Sequence, residues 1–171
     1  GVPDVKKKMY VDLSIKEIDR ATEIIRNYLT FSKPHPNEII TVDIKEVLIH
    51  SKDIIASLAI MNSIQVETDI DTHFIKGNKH LLQQCFLNIS KNCIEAMPNG
   101  GKLTIKTEPV DNELLISISD NGLGMTKEQL ARIGEPYFTT KGREGTGLGI
   151  MVVIRIIDLH NGRLIVNSEL N

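Results

Sequence analysis

The chain has 171 residues, 41% of them hydrophobic, which predicts one compact domain with a real core and room for an added segment. The formal net charge is -2, with Lys and Arg evenly mixed among Asp and Glu, so the composition argues against the basic face typical of nucleic-acid binding. The sequence has no apolar run of roughly 18 residues and no signal-peptide core, so any membrane attachment would lie outside this chain. Because the chain starts at Gly1 instead of Met, we interpret it as a fragment or a processed protein.

Both cysteines fall within one helical pattern. Cys85 and Cys93 cannot reach one another across two helical turns, so no disulfide between them is predicted. A reducing, cytoplasmic location is the simplest interpretation.

Residues 4–33 are predicted to form one long amphipathic helix, because apolar positions recur at alternating steps of four and three. The seam consists of Val11, Ile15, Ile18, Thr22, Ile25 and Leu29, widened by Leu13, Ile24, Tyr28 and Phe31. So wide a stripe predicts a partner helix; the alternative is that the helix packs on its own globular domain. Pro34 and Pro36 should end the helix, and residues 34–41 are predicted to be a linker.

The middle of the chain predicts helices and strands in alternation. Residues 42–63 have the broad buried face of a second helix, residues 64–68 alternate with the period of a strand, and residues 74–75 form a second short strand. Asn78 is placed to cap a third helix that runs on to Pro98.

This third helix carries a polar face. Asn88 and Asn92 are four residues apart, so their amides point the same way, and Glu95 lies one step around the helix. Amides that lie in a cleft need partners, which makes this face a candidate binding surface.

Further along, residues 102–108 and 113–119 predict an antiparallel hairpin whose second strand leads directly into Asp120. Thr126 and Gln129 have capping-box spacing and predict a short helix that ends near residue 133. A last strand is predicted over residues 163–168.

Two glycine-rich segments flank a long polar connection. The first opens with Asp120 and contains Gly122 and Gly124; the second contains Gly145, Gly147 and Gly149 and precedes a buried helix over residues 150–160. Free backbone N–H groups at such a loop and the positive end of a helix dipole suit a phosphate. The G-x-G-x-G spacing is neither the dinucleotide fingerprint nor the P-loop, so a different nucleotide fold is indicated. A connection this long is often a lid.

Four motifs in order resemble the ATP-binding catalytic domain of sensor histidine kinases, within the wider group that includes gyrase, Hsp90 and MutL. Residues 88–96 resemble its N box, 120–125 the first glycine box, 136–141 the F box and 145–149 the second glycine box. Residues 4–33 resemble the second helix of the dimerisation and phosphotransfer hairpin, particularly that of sporulation-type kinases of bacilli.

This resemblance implies a two-layer α/β sandwich of the histidine kinase ATPase type with a long N-terminal helix. The implied division is residues 1–33 as the second hairpin helix, 34–41 as linker and 42–171 as the ATP-binding domain. Asp120 would accept a hydrogen bond from the adenine amino group, and Asn92 would bind Mg²⁺. Asn92 and Lys141 are the implied catalytic residues. The implied nucleotide-binding residues are Asn88, Lys91, Asn92, Asp120, Gly122, Gly124, Met125, Phe138, Thr140, Lys141, Gly145, Thr146, Gly147, Leu148 and Gly149, with Arg143 and Tyr137 as further candidates.

The acceptor of the phosphoryl group is not evident in this sequence. In the family it is a histidine in a His-Glu-x-x-Asn-Pro-like context, and the five histidines here lack those neighbours, so we interpret them as structural or surface residues. They are His35, His50, His73, His80 and His160. We therefore expect Mg-ATP binding, with autophosphorylation only when the acceptor helix is supplied.

The implied function is the catalytic module of a two-component histidine kinase, with a response regulator as partner and a homodimer formed through residues 5–31. One alternative is a dimerisation or inhibitor-docking module that holds nucleotide without turnover, and another is an anti-sigma-type serine kinase. Asn88 stands where gyrase-like members have a water-activating glutamate, so hydrolysis should be slow, with Glu95 as a less favoured substitute base.

Overall fold

The computed structural model describes residues 4–32, 39–142 and 145–170. Helices and strands alternate along most of the chain. In order they are α1 (Asp4–Ser32), β1 (Ile40–Asp43), α2 (Ile44–Met61), β2 (Ile64–Asp69), β3 (Phe74–Gly77), α3 (Lys79–Glu95), β4 (Gly101–Val110), β5 (Glu113–Asp120), α4 (Lys127–Ala131) and α5 (Gly149–Leu159).

The long N-terminal helix is confirmed as α1. Its described seam residues are exposed, with 55% of Val11, 52% of Ile15 and 64% of Ile18 open to solvent. The alternative that this seam packs on its own globular domain is therefore wrong for these residues. An apolar stripe of this size on the surface is a feature of binding faces.

Strand β1 corrects two expectations about the region after α1. Residues 40 and 41 were predicted to be linker and residues 42 and 43 to be helix, whereas Ile40–Asp43 pairs antiparallel with β3. Helix α2 starts only at Ile44, because the Asp43 side chain accepts a hydrogen bond from the backbone N–H of Lys45 and so caps the helix. Most of the predicted linker, residues 34–38, lies outside the described residues.

A three-stranded sheet carries the site-bearing hairpin. Strand β2 runs parallel to β4, and β4 pairs antiparallel with β5 in a register that sets Leu103 opposite Asp120. Helices α2 and α3 pack on this sheet through a core that contains Ile44, Leu48, Phe86 and Ile105. Helix α5 packs on the other side of α3. The predicted two-layer α/β sandwich is confirmed.

Helix α3 begins as predicted and ends earlier than predicted. The Asn78 side chain caps it by accepting from the backbone N–H of Leu81 at 3.0 Å. The helix ends at Glu95 instead of continuing to Pro98, because a proline disfavours helical geometry in the residue before it. The capping box of α4, built from Thr126 and Gln129, is confirmed.

The last strand predicted at residues 163–168 is wrong: within the described ranges the sheet ends at β5. The alternation of half-buried and exposed side chains is present, but side-chain contacts hold the segment in place of a backbone ladder. Arg163 Nη2 donates to Glu113 Oε2 at 3.3 Å, and Ser168 Oγ accepts from the backbone N–H of Met125 at 2.9 Å.

Candidate functional site

The polar face of α3 meets the second glycine segment. Asn88 Nδ2 donates to the carbonyl oxygen of Gly149 at 3.4 Å. A Cβ built on Gly149 would lie 3.9 Å from Asn92 Nδ2, so both asparagine amides face the start of α5. The predicted shared face of these two amides is therefore present and is turned toward the glycine-rich loop, residues 145–149, which we call the glycine loop.

Lys141 brings the segment between the two glycine boxes onto this face. Its Nζ donates to Asn92 Oδ1 at 3.2 Å and forms an ion pair with Glu95 Oε2. The segment that carries Lys141, residues 135–142, is called the lid below. A residue 49 positions beyond Asn92 is thus in direct contact with it.

Asp120 opens a tight loop, residues 120–125, against the end of α3. Asp120 Oδ1 accepts from the backbone N–H of Gly122 at 2.9 Å, and the backbone N–H of Leu123 donates to the carbonyl oxygen of Ala96 at 2.9 Å. A Cβ on Gly122 would lie 2.3 Å from that same carbonyl oxygen, so the loop approaches the helix closely only because this residue is glycine. We call these residues the Asp120 loop.

Cys93 lies between the metal-ligand candidate and the Asp120 loop. Burial raises the pKa of its thiol, and a hydrogen bond to the Asp120 carboxylate and the charge of that carboxylate raise it further. The thiol therefore stays neutral beside the Asp120 carboxylate. The sequence placed Cys93 only in a helical pattern and did not predict its proximity to Asp120, for which its position directly after Asn92 was the available signal.

The glycine loop lies directly against the lid. Gly147 has a φ of +66°, and its carbonyl oxygen accepts from the backbone N–H of Tyr137 at 3.1 Å. A Cβ on Gly147 would lie 2.4 Å from the carbonyl carbon of Tyr137, and one on Gly145 would lie 2.1 Å from Thr139 Oγ1. Gly147 is therefore required for the two backbones to touch, whereas at Gly145 the nearest atom belongs to the Thr139 side chain.

Helix α5 starts without a side-chain cap. Its N-cap residue is Leu148, which is buried and offers no side-chain acceptor to the first turn. The first backbone N–H groups of a helix have no partner inside the helix, and they form an anion site when they face a cleft. Gly149, at the start of α5, faces the two asparagine amides.

The other predicted site residues occupy the rim of this region. Phe138 is half-buried with the Arg132 guanidinium 4.1 Å from its ring centre, and Thr146 Oγ1 accepts from the backbone N–H of Leu148 at 3.4 Å. Lys91 and Thr140 are exposed.

Among the predicted residues of the Asp120 loop, Gly124 has a φ of +68°, and its backbone lies against Glu169. Arg143 lies outside the described residues.

A separate groove lies away from this region. A groove of about 510 Å³ runs between α4, α5 and the segment after α5, and none of the predicted site residues lines it. Its walls are mainly aliphatic. The lining residues are Leu130, Ile133, Ile154, Ile157, Asp158, Gly162, Arg163, Leu164 and Val166. The candidate site is instead the region where α3, the Asp120 loop, the lid and the glycine loop meet, which we call the cleft.

The chemistry of the cleft fits magnesium held mainly by a bound nucleotide. Across residues 4–32, 39–142 and 145–170 there is no cluster of three or more His, Cys, Asp or Glu side chains that could hold a metal by itself. Asn92 Oδ1 is a hard oxygen ligand that already faces a cation, the Lys141 ammonium. Mg²⁺ commonly takes one or two protein oxygens and completes its shell with phosphate and water.

Four of the five histidines lie in the described part of the chain, and His73 is half-buried. His50 and His80 are exposed, and His160 bridges two helices: its Nδ1 donates to the carbonyl oxygen of Ile156 at 2.6 Å, and its Nε2 accepts from the backbone N–H of Asn78 at 2.9 Å. His160 is therefore structural, as predicted. His35 lies outside the described residues.

The fold and the cleft together define an ATP-binding ATPase domain. Residues 77–171 match the model of the histidine kinase-, DNA gyrase B- and HSP90-like ATPases, and the chain belongs to that family. No helix in the described ranges is both long and apolar enough to cross a membrane.

Named relatives are histidine kinases. The chain is 37% identical over 166 residues to sporulation kinase C of Bacillus subtilis (strain 168). The matched region covers 95% of this chain and 39% of that protein. It is 32% identical over 162 residues to the signal transduction histidine-protein kinase AtoS of Escherichia coli (strain K12), covering 93% and 26% of the two chains. The chain thus spans well under half the length of these relatives.

A solved structure has the same fold. Full-length ShkA in complex with AMPPNP superposes with a TM-score of 0.80 at 22% identity, over 96% of this chain and 36% of that one. Histidine kinase ThkA in complex with the response regulator protein TrrA gives a TM-score of 0.76 at 22% identity, over 98% of this chain and 50% of that one.

Proposed function

We propose that this chain binds Mg-ATP in the cleft and delivers its γ-phosphoryl group to a histidine on a separate segment. The observation that carries the proposal is the convergence of three distant segments on the polar face of α3. Lys141 from the lid reaches Asn92, Gly149 from the glycine loop reaches Asn88, and Leu123 from the Asp120 loop reaches the end of the helix. A cleft with these partners combines a base reader, phosphate donors and a metal ligand.

The adenine reader is Asp120. Its side chain is exposed, and one carboxylate oxygen already accepts from the backbone N–H of Gly122. The second oxygen remains an acceptor for the exocyclic amino group of adenine, since an ionised carboxylate only accepts. Guanine presents a carbonyl oxygen at the equivalent position, so this site should discriminate against it.

The phosphates are bound by backbone and lysine donors. The N–H groups of the glycine loop and the uncapped first turn of α5 supply partial positive charge. Lys141 supplies a full charge, and Lys91 on the outer side of α3 is a second candidate. Gly122, Gly124 and Met125 line the base end, while Phe138 and Thr140 line the lid.

Asn92 would hold magnesium through Oδ1. A magnesium ion bound there would neutralise charge on the phosphate oxygens and fix their geometry for transfer. The residues of this chain orient the nucleotide and exclude water. In the transfer, the bond between the γ-phosphorus and its bridging oxygen breaks, a nitrogen–phosphorus bond forms on the acceptor imidazole, and ADP leaves with the electron pair while the imidazole loses its N–H proton.

Hydrolysis in place of transfer should be slow. Asn88 is an amide and cannot accept a proton from water as a general base. Glu95 is a less favoured substitute base, because it lies one step around α3 from the two asparagine amides. A phosphoryl group would therefore be retained until an acceptor histidine arrives.

The acceptor belongs to a dimerisation hairpin of which α1 forms the second helix, and the residues between α1 and β1 join this helix to the ATP-binding domain, which begins with β1. The exposed seam of α1 supports a homodimer through residues 5–31. A response regulator would receive the phosphoryl group next; the complex of ThkA with TrrA supports such a partner. A protein inhibitor could bind the same helix. We place the activity in the cytoplasm, where ATP and such regulators are found.

The second function is a nucleotide-holding dimerisation or inhibitor-docking module without turnover, and the relatives named as kinases favour transfer over it. The apolar seam of α1 is exposed along the described side chains of the helix, as in an unpaired coiled-coil strand. The serine-kinase alternative has no such support, because it does not account for α1.

The test uses radiolabelled ATP, Mg²⁺ and a separately made helical hairpin with an acceptor histidine. We expect acid-labile label on the hairpin only when chain and hairpin are mixed, and none with Asn92→Ala. Label on this chain alone would contradict the assignment. Nucleotide binding without any transfer would favour the dimerisation module.

A further inference from the structure

We propose that Glu95 is a positioning residue that holds the lid lysine on the metal-binding amide until nucleotide arrives. This inference rests on the proposed function of the cleft. Lys141 Nζ contacts two side chains of α3 at once, Asn92 Oδ1 at 3.2 Å and Glu95 Oε2. The lysine therefore occupies the oxygen that magnesium would use.

Glu95 determines where the lysine rests. Asn92 is neutral and offers a single acceptor oxygen, whereas the Glu95 carboxylate supplies the negative charge of the pair. The two residues are three apart on α3 and so lie on neighbouring positions of one helix face. Without the carboxylate, a lone amide oxygen would not keep a flexible ammonium from water.

Lysine and magnesium compete for the same oxygen. Two cations cannot both sit at ligand distance from Asn92 Oδ1 without strong repulsion, so the lysine must leave when Mg-ATP binds. Phosphate oxygens provide the new partner for its ammonium. Glu95 therefore opposes nucleotide binding through Lys141, and it keeps the lid closed against α3 in the empty state.

The pair is weak enough to be displaced. The side chains of Lys141 and Glu95 are 36% and 49% exposed, and exposed ion pairs contribute little because water screens them. A nucleotide that carries several negative charges can therefore capture the lysine. The contact acts as a latch that the substrate itself opens.

The binding test is a thermodynamic cycle with Glu95→Gln and Lys141→Ala, measured by calorimetry with Mg-ATP. Removing an exposed pair should tighten Mg-ATP binding by about two- to five-fold. In the Lys141→Ala background the same change at Glu95 should give a smaller gain, because only general charge repulsion is then removed. Equal gains in both backgrounds, or weaker binding after Glu95→Gln, would overturn the proposal.

A second measurement needs no nucleotide. Trypsin must bind the Lys141 side chain to cut after it, so Glu95→Gln should release the fragment ending at residue 141 several-fold faster than the wild type does. Glu46→Gln is the matched control, because it breaks an exposed pair with Lys79, 2.6 Å long, at the other end of α3. Equal cleavage of wild type and Glu95→Gln would refute the latch.

The two measurements separate this inference from the proposed function. If the wild-type chain bound no Mg-ATP, the proposed function would fail, and the trypsin result would still decide whether Glu95 holds Lys141. Thermal unfolding of Glu95→Gln should match that of Glu46→Gln. A large drop found only for Glu95→Gln would assign the residue a structural role and contradict a latch.

Discussion

The backbone N–H of Tyr137 donates to the carbonyl oxygen of Gly147 at 3.1 Å, and the two backbones are so close that no side chain fits at Gly147. Tyr137 itself has a φ of +64°, unusual for a residue with a side chain. The lid and the glycine loop are thus built as one unit. Movement of either segment must involve the other.

Gly147→Ala should damage both the loop and nucleotide binding. A Cβ there would lie 2.4 Å from Tyr137, and the φ of +66° adds backbone strain of about 1–2 kcal/mol. We expect Mg-ATP affinity to fall by at least about ten-fold, because two or more backbone N–H donors of the glycine loop would be displaced from the phosphates. Calorimetric titration with Mg-ATP measures this loss of affinity.

Gly142→Ala is the control for this substitution. Gly142 also has positive φ, +57°, but its Cβ would meet open space. It should show the backbone strain without the collision, and so a smaller loss of affinity. Equal losses for the two variants would mean that the contact between lid and glycine loop has no role in binding.

Asp120→Asn should weaken ATP binding without unfolding the protein. The amide oxygen of asparagine can still accept from the Gly122 N–H, so the loop is kept, while the charged acceptor for adenine is lost. A hydrogen bond to a charged group contributes about 1.5–3 kcal/mol, which predicts a loss of about ten-fold or more. Asp111→Asn, on the exposed hairpin turn, should bind as the wild type does. Wild-type affinity in Asp120→Asn would rule out Asp120 as the base reader.

His160→Ala should destabilise the fold at a distance from the cleft. The His160 ring bonds both the carbonyl oxygen of Ile156 and the backbone N–H of Asn78, which is the N-cap of α3. Leaving such groups unpaired costs about 1–3 kcal/mol. Urea denaturation should show this loss, and His50→Ala, an exposed position on α2, should show almost none. Equal stability of the two variants would contradict the bridging role.

Alkaline pH should destabilise the chain through its buried thiols. Burial raises the pKa of Cys85 to about 12, whereas an unfolded cysteine ionises near about 8.5. Above pH 8.5 the unfolded chain has lost a proton that the folded chain keeps, so stability falls as pH rises toward 12. The contribution of the buried Cys85 thiol to stability is fully present below the pKa that this thiol has in the unfolded chain.

Between pH 8 and pH 10 the free energy of unfolding should therefore drop by about 2 kcal/mol more in the wild type than in Cys85→Ala. Urea denaturation at the two pH values measures the difference. Val152→Ala, a buried change in the same core cluster without a titrating group, should keep the wild-type pH slope. Identical slopes in wild type and Cys85→Ala would show that this thiol ionises in the folded chain.

Local signals in the sequence predicted most elements correctly. The caps at Asn78 and Thr126 and the turn at Asp111 each depend on a few adjacent residues, and all three are present. Strand β1 was missed because its pairing with β3 joins Ile40 to Gly77, far along the chain, so no adjacent residue signals the partner strand. Asp43 was the available signal for the boundary.

In the candidate site, too, features set by nearby residues could be predicted and contacts between distant residues could not. The shared face of Asn88 and Asn92 follows from helix geometry, and the sequence predicted it. The contact of Lys141 with Glu95 could not be predicted, because it joins residues 46 positions apart through a lid without regular periodicity. The prediction of a last strand over residues 163–168 was wrong for a related reason. Alternation of apolar and polar side chains does not reveal whether a neighbouring strand is present to form the backbone hydrogen bonds of a sheet.

The most direct test of the nucleotide cleft is a titration of the isotopically labelled chain with ATP and Mg²⁺, followed by the amide resonances. We predict saturable shifts at Asn92, Gly122 and Gly147 that are lost in Asp120→Asn and much smaller with GTP. Shifts confined to α1 or to the groove beside α5, or no saturable shift at all, would contradict the account.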